Sequence, residues 1–291
     1  HSVKKVKKDI PREKIPLLGI GAAFSFLLMM FNVPLPGGTT GHAVGGTLIA
    51  LLLGPEAAFI SVSIALFIQA LLFGDGGILA FGANVFNMAF ILPFTGYYTC
   101  NFIKRKIKSE LGEKIGIIVG AYVGLNLASL ITAIEFGIQP ILFKDSFGNP
   151  MYCPYGLSIS IPAMVLPHLI LAGVVEAAFT FAIYSFIKRT SKEIIYKDSE
   201  EKVKYKPLLI LLGVLVLLTP LGLLSEGTAW GEWGIDEISK VSESGTELGF
   251  IPKGMENGFN FTSLMPDYEV GSILPVFGYI LAAIIGTTIL I

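Results

Sequence analysis

Apolar and polar residues in this chain segregate into blocks rather than alternating residue by residue. Apolar runs lie at 17–33, 43–53, 57–73, 78–100, 115–138, 157–187, 207–224 and 271–291, parted by polar stretches that are mostly short. A helix that crosses a bilayer needs about 20 consecutive apolar residues, with a range of roughly 17–25. The pattern therefore predicts an all-α integral membrane protein with about eight hydrophobic segments. The run at 43–53 is short for a span and the one at 78–100 is interrupted by glycine. Bent or partly irregular backbone is expected in both, which a bilayer tolerates only where protein or a cavity surrounds it.

Orientation follows from the positive charges, because cytoplasmic loops carry the excess of Lys and Arg. Residues 1–16 (HSVKKVKKDIPREKIP), 101–114 (NFIKRKIKSELGEK) and 188–206 (KRTSKEIIYKDSEEKVKYK) are basic. The loop at 139–156 has a single Lys, and 225–270 carries nine acidic residues, Glu226 and Glu232 among them, against Lys240 and Lys253. With eight spans counted from a cytoplasmic start, the three basic loops fall inside and the two poor ones outside. The expected setting is a multi-pass protein of a bacterial-type cytoplasmic membrane.

Composition agrees. Of 291 residues, 53% are hydrophobic and 15% charged, with mean hydropathy +0.71, whereas soluble domains carry roughly 25% charged residues. A net charge of −1 gives no bulk attraction for nucleic acid. Cys100 and Cys153 fall in loops on opposite faces and outside any CxxC pair, so no disulfide is expected between them. The sequence opens on His1 rather than Met, with no visible signal peptide.

The candidate chemistry centres on PGGTTGHAVGGTLIALLLGP, Pro36 to Pro55, where a glycine-rich loop delivers His42 to the lip of an apolar segment. The other two histidines are His1 and His168. Imidazole is the commonest protein ligand for borderline transition metals, and glycine lets backbone approach an ion. The competing reading is that His42 hydrogen-bonds at a helix start. Asp75 in the GDGG turn, Asn84 near the outer end of the fourth block and Glu135 near the outer end of the fifth share the outer depth of His42. Ionisable groups in spans are functional candidates by default, although interfacial exposure would also explain Asp75 and Glu135. In the sixth block, PHLILAGVVEA, His168 and Glu176 are eight residues apart and so roughly on one helix face. At 1.5 Å per residue they lie about 16 Å and 28 Å from Leu157. That puts His168 near the midplane, too deep to reach an outer site, and Glu176 closer to the cytoplasm. A polar contact with a neighbouring helix or subunit, or a second ion site, would each account for them.

No GxxxxGK[ST], HExxH or GxSxG occurs, so nothing points to a nucleotide-binding loop or an enzyme. A third class, an intramembrane metalloenzyme, would need a second strong ligand cluster, which the sequence lacks.

The series GHAVGGTLIALLLGP, FIQALLFGDGG, GANVFNMAF, AIEFGIQP and PHLILAGVVEA, running in order through 17–187, resembles the CbiM/NikM family. These are the substrate-binding (S) components of energy-coupling-factor (ECF) importers for nickel and cobalt. The sequences TPLGLLSEGTAWGEWG at 219–234 and MPDYEVGS at 265–272 resemble the small N-type subunit of such systems fused behind it. The resemblance implies an S-component membrane domain at 1–190 with six of the segments, a cytoplasmic linker at 191–206, and a fused N-type subunit at 207–291 with two helices and the external acidic loop. It also implies Ni2+ or Co2+ as transported substrate, and as partners a transmembrane coupling (T) subunit with two ATPase (A) subunits. The family's metal is chelated by an N-terminal Met-His start and one further histidine, matched here by His42. This sequence has no such start. A further N-terminal helix of roughly two dozen residues, by the span-length rule, is therefore expected in the full chain, leaving His1 a cytoplasmic loop residue. Where family outer loops carry His-Gly-Gly this chain has Asp75-Gly76-Gly77, which removes the imidazole there, and Asn84 is expected to orient an imidazole or hold that loop. The alternative is a self-sufficient proton-coupled secondary permease using Glu135, His168 and Glu176.

Overall fold

The computed structural model describes residues 1–10, 14–37, 39–195, 203–225, 227–243, 245, 247–256, 258–259, 261–271 and 273–291. Residues 196–202 of the expected linker, and Glu226 of the acidic loop, lie outside the described residues. The principal helices are α1 (Ser2–Asp9), α2 (Pro16–Met29), α3 (Gly46–Leu53), α4 (Pro55–Phe73), α5 (81–106), α6 (Glu110–Leu142), α7 (Leu157–Thr190), α8 (Tyr205–Leu224) and α9 (Pro275–Leu290). One antiparallel hairpin interrupts them, β1 (Val33–Leu35) pairing β2 (Thr39–Gly41), with Pro34 opposite Thr40. Among the described residues, α4, α6, α7 and α8 are long and apolar enough to cross a membrane, and α2 and α9 are shorter apolar helices. Their outward faces are apolar too: Leu217, Phe277 and Ile170 are exposed, the surface a chain solvated by lipid presents.

The short second block has a local explanation. Gly45 at φ +71 starts α3, and Gly54 at φ +97 ends it against Pro55, which opens α4. Eight residues rise only about 12 Å, well short of the ~30 Å hydrocarbon layer. Residues 42–45 upstream are non-helical. The stretch is an extended arm feeding a half-length helix, and irregular backbone of this kind requires protein around it.

Packing relies on glycine. A Cβ at Gly116, Gly120 or Gly124 of α6 would stand 2.9, 2.6 and 2.7 Å from the carbonyl oxygens of Cys100, Gly96 and Leu92 on α5. The two backbones are thus in direct contact along a four-residue repeat of small residues, the usual means of joining helices where lipid removes the hydrophobic drive. The same two helices are also tied to α7: Glu113 of α6 is ion-paired to Lys188 of α7 and, at 3.7 Å, to Lys104 of α5, and accepts from Tyr184 Oη at 2.9 Å.

The C-terminal helices are part of the same core. A Cβ on Gly286 of α9 would collide with the Phe26 ring of α2, and one on Gly222 with the Met30 carbonyl. Tyr279 Oη donates to Met30 O at 3.2 Å. Described residues of the following loop reach the hairpin and the end of α4: Thr40 bridges Ala229, Thr39 Oγ1 donates to Thr228 O at 3.2 Å, and Met265 N donates to Leu72 O at 2.8 Å.

Candidate metal-capture site

Three helices carry a π-helical turn, at Gln69–Phe73, Val85–Ile91 and His168–Ala172. Proline explains two of them: Pro93 and Pro167 lack the N–H that α-geometry needs and stand beside the affected turns. Each turn swings a polar side chain inward, Gln69, Asn87 or His168. Such bulges recur at functional sites.

His42 follows β2 and precedes α3, half-buried. Its Nδ1 lies 3.3 Å from the Ala43 carbonyl. A carbonyl only accepts, so in the neutral ring Nδ1 carries the proton and Nε2 keeps its lone pair. The segment behind it is pinned from both sides. Ser25 Oγ donates to Val44 O at 2.8 Å. Glu176, fully buried, accepts from Val44 N at 2.8 Å and from Gly45 N at 3.1 Å through Oε2, and from Gly45 N at 3.2 Å through Oε1. A carboxylate on the first free amides of a helix satisfies both their hydrogen bonds and the helix dipole.

His168 is not out of reach of the His42 loop, as rise along the helix alone suggests. Its Nδ1 lies 2.7 Å from Met164 O, which in the neutral ring again leaves Nε2 unprotonated, and that Nε2 lies 4.0 Å from the place a Gly41 Cβ would take. The hairpin packs against the π-helical turn of α7 and brings the loop before α3 to meet it. His168 is therefore a neighbour of the His42 loop. Both His168 and Glu176 make contacts within this chain, to the His42 loop.

Asp75 and Asn84 serve one turn. Asn84 Nδ2 donates to Gly76 O at 2.9 Å, so it holds the outer loop instead of an imidazole. Asp75 Oδ2 accepts from Gln69 Nε2 at 3.0 Å and from Tyr268 Oη. Glu135 accepts from Asn87 Nδ2 at 2.6 Å and shares no hydrogen bond with Asp75, Asn84 or the His42 loop among the described residues. Desolvation of the Glu232 carboxyl, and then the Asp75 charge, push it up to about 7.

Residue-type reasoning missed Gln69, Asn87, Ser25, Tyr268 and Glu232. Gln69 and Asn87 were legible as lone amides inside apolar runs, FIQALLF and NVFNMAF. Tyr268 gave no such signal. Among the described residues no three or more His, Cys, Asp or Glu side chains are grouped so as to hold a metal ion. The side chains here offer one or two imidazole nitrogens and an oriented carboxylate, not a closed cage.

Comparison with known proteins places these features in a lineage. Residues 1–194 match the family described as the cobalt uptake substrate-specific transmembrane region (CbiM), and residues 206–291 match the PDGLE domain. The chain is 48% identical over 97% of its length to the probable fused nickel transport protein LarMN of Lactiplantibacillus plantarum, covering 85% of that protein. It is 39% identical over its full length to the fused nickel transport protein NikMN of Rhodobacter capsulatus, covering 88% of it. A solved structure, of a truncated transition metal transporter, superposes with a TM-score of 0.61 at 53% identity, over 65% of this chain and 86% of that one.

Proposed function

The chain belongs to the CbiM family and carries a PDGLE domain behind the family region, and on that footing we propose that it is the substrate-binding component of an ECF-type importer that takes up nickel, or cobalt, across the cytoplasmic membrane. The relatives are nickel and cobalt transport proteins, which supports this choice of cargo and a role other than catalysis. In this reading the eight apolar blocks are eight membrane-crossing segments. The second crosses as extended arm plus half-helix. Residues 1–190 form the capture domain, 191–206 the cytoplasmic linker, and 207–291 the fused N-type subunit.

His42 supplies an imidazole nitrogen to the ion. The observation that carries this assignment is the contact of Nδ1 with the Ala43 carbonyl, which in the neutral ring leaves Nε2 the lone-pair nitrogen, on a backbone clamped by Glu176 and Ser25. A ligand nitrogen fixed in one tautomer on an immobilised loop binds without ordering anything first. The other donors are those the resemblance assigns to a Met-His start, and a planar set of nitrogens suits Ni(II) better than Zn(II). Asp75 and Asn84 shape the outer turn, and Glu135 with Asn87 is a structural pair. A T subunit and two A subunits would supply the energy.

The test is nickel titration of the full-length protein and its His42→Ala variant by calorimetry. Binding should disappear in the variant; undiminished affinity would remove His42 from the site. Uptake into liposomes separates the mechanisms. Transport by this protein alone, driven by a pH gradient, would instead support a proton-coupled permease working through Glu135, His168 and Glu176.

A further inference from the structure

The backbone of Asp267 and Tyr268 is left-handed, at φ +53 and +63, and these are the two non-glycine residues among those described with positive φ. Two adjacent side-chain-bearing residues in this region are strained, and such strain persists only when the surroundings over-determine it. The surroundings do. The Tyr268 ring stacks on Phe73 at 4.8 Å and meets Tyr279 at 5.2 Å and Phe26 at 6.4 Å. Its hydroxyl, buried with the ring, donates to Asp75 Oδ2 and accepts from Gln69 Nε2 at 2.8 Å. Gln69 also donates to that same Oδ2, so Tyr268, Gln69 and Asp75 close a three-membered ring of hydrogen bonds. Backbone ties flank it: Met265 N to Leu72 O at 2.8 Å, and Gly74 with Ser263 packed so closely that a Cβ would lie 2.9 Å from Ser263 Oγ.

A carboxylate held this way is oriented. Both donors take Oδ2, and Oδ1 takes none among the described residues. Asp75 sits on the turn that Asn84 holds, and the C-terminal segment that reaches this end of α4 through Met265 also bridges Thr40, two residues before His42, through Ala229. We propose that Tyr268, contributed by the C-terminal PDGLE segment, is a positioning residue for the cation site: its hydroxyl fixes the Asp75 carboxylate toward the ion's approach to His42. The aromatic seat and the strained turn exist to deliver one hydroxyl to one oxygen. The fused segment thereby acts on capture through a defined bond. This inference rests on the reading of His42 as ligand.

The experiment uses the full-length protein, with nickel titration and the initial rate of nickel uptake into vesicles as readouts. Tyr268→Phe keeps the ring and removes the hydroxyl, and should lower the uptake rate about tenfold, the size expected of one hydrogen bond to a charged group. Tyr279→Phe is the control: it belongs to the same aromatic cluster but donates to Met30 O, away from the turn, and should behave as wild type. Asp75→Asn should lose as much as Tyr268→Phe, and the double variant should lose no more than either, because both changes act on one interaction. Multiplicative losses in the double variant, or a wild-type rate for Tyr268→Phe, would overturn the proposal. Retained binding in His42→Ala would overturn the underlying site instead, so the two failures are told apart.

Discussion

Replacing Glu176 by Gln tests whether the His42 loop is held by a buried carboxylate. The carboxylate accepts two backbone amides, Val44 N and Gly45 N, from a side chain with no solvent exposure. Glutamine keeps one carbonyl oxygen in place but turns an NH2 group toward the second amide, so one charge-assisted bond is lost and one donor faces another. A hydrogen bond to a charged group contributes about 1.5–3 kcal/mol net. Taking about 2 kcal/mol, the opened loop becomes roughly 30-fold more populated, since 1.4 kcal/mol is a factor of ten. The loss is local, because Ser25 still holds Val44 O and the hydrophobic contacts of α3 are untouched. Hydrogen exchange resolved at single amides, on the full-length protein in detergent or nanodiscs, should show Val44 and Gly45 exchanging about 30-fold faster, with the α5–α6 amides unchanged. Glu176→Ala should be worse, because it orphans both donors in a dry environment. Unchanged exchange at Val44 and Gly45 in Glu176→Gln would refute the reasoning. So would acceleration spread evenly over the bundle, which would mean that the residue serves global stability and not this loop.

Three further outcomes follow from the same geometry. Gly120→Val should lower the thermal unfolding midpoint in detergent by several degrees, because its Cβ would meet the Gly96 carbonyl at 2.6 Å and overpacking costs about 1–3 kcal/mol; an unshifted midpoint would mean that α5 and α6 are not in backbone contact. Asn87→Leu removes the donor to Glu135 and should cost about 1.5–3 kcal/mol of stability while leaving nickel affinity intact, since Glu135 shares no hydrogen bond with the His42 loop among the described residues; lost affinity would bring Glu135 into the site. Lys253 foremost, and then the Asn149 amide, hold the Asp145 carboxyl down at about 2 against an ordinary 3.8. A depressed folded value means that the tie is fully present above about pH 4 and is lost as pH falls toward 2. Exchange at the Phe147 and Asn149 amides should therefore accelerate over that range beyond its intrinsic pH dependence, and Asp145→Asn should abolish the extra term.

The positions of the apolar blocks were readable because burial in lipid is written residue by residue as hydropathy: α2, α4, α6, α7, α8 and α9 each coincide with one. His42 stood out as a candidate for the same local reason, a lone imidazole between glycines, and the family was legible through contiguous motifs. The four-residue glycine repeat of α6 was equally open to reading as a helix-packing stripe. Depth and partnership were not. Counting rise along α7 separates His168 from His42, because it assumes that the loop before α3 stays outside. The hairpin brings that loop to the π-helical turn of α7, and only the three-dimensional path of β1 and β2 reveals it. Glu176 looks like a helix-contact residue in sequence, and its true partners are backbone amides 131 and 132 positions away, which carry no side-chain signature. Tyr268 is the extreme case. Nothing in MPDYEVGS marks a tyrosine for a left-handed conformation, since its intrinsic preference opposes it. That choice is made by Phe73, Gln69 and Asp75, which the fold of the first two hundred residues brings to meet it.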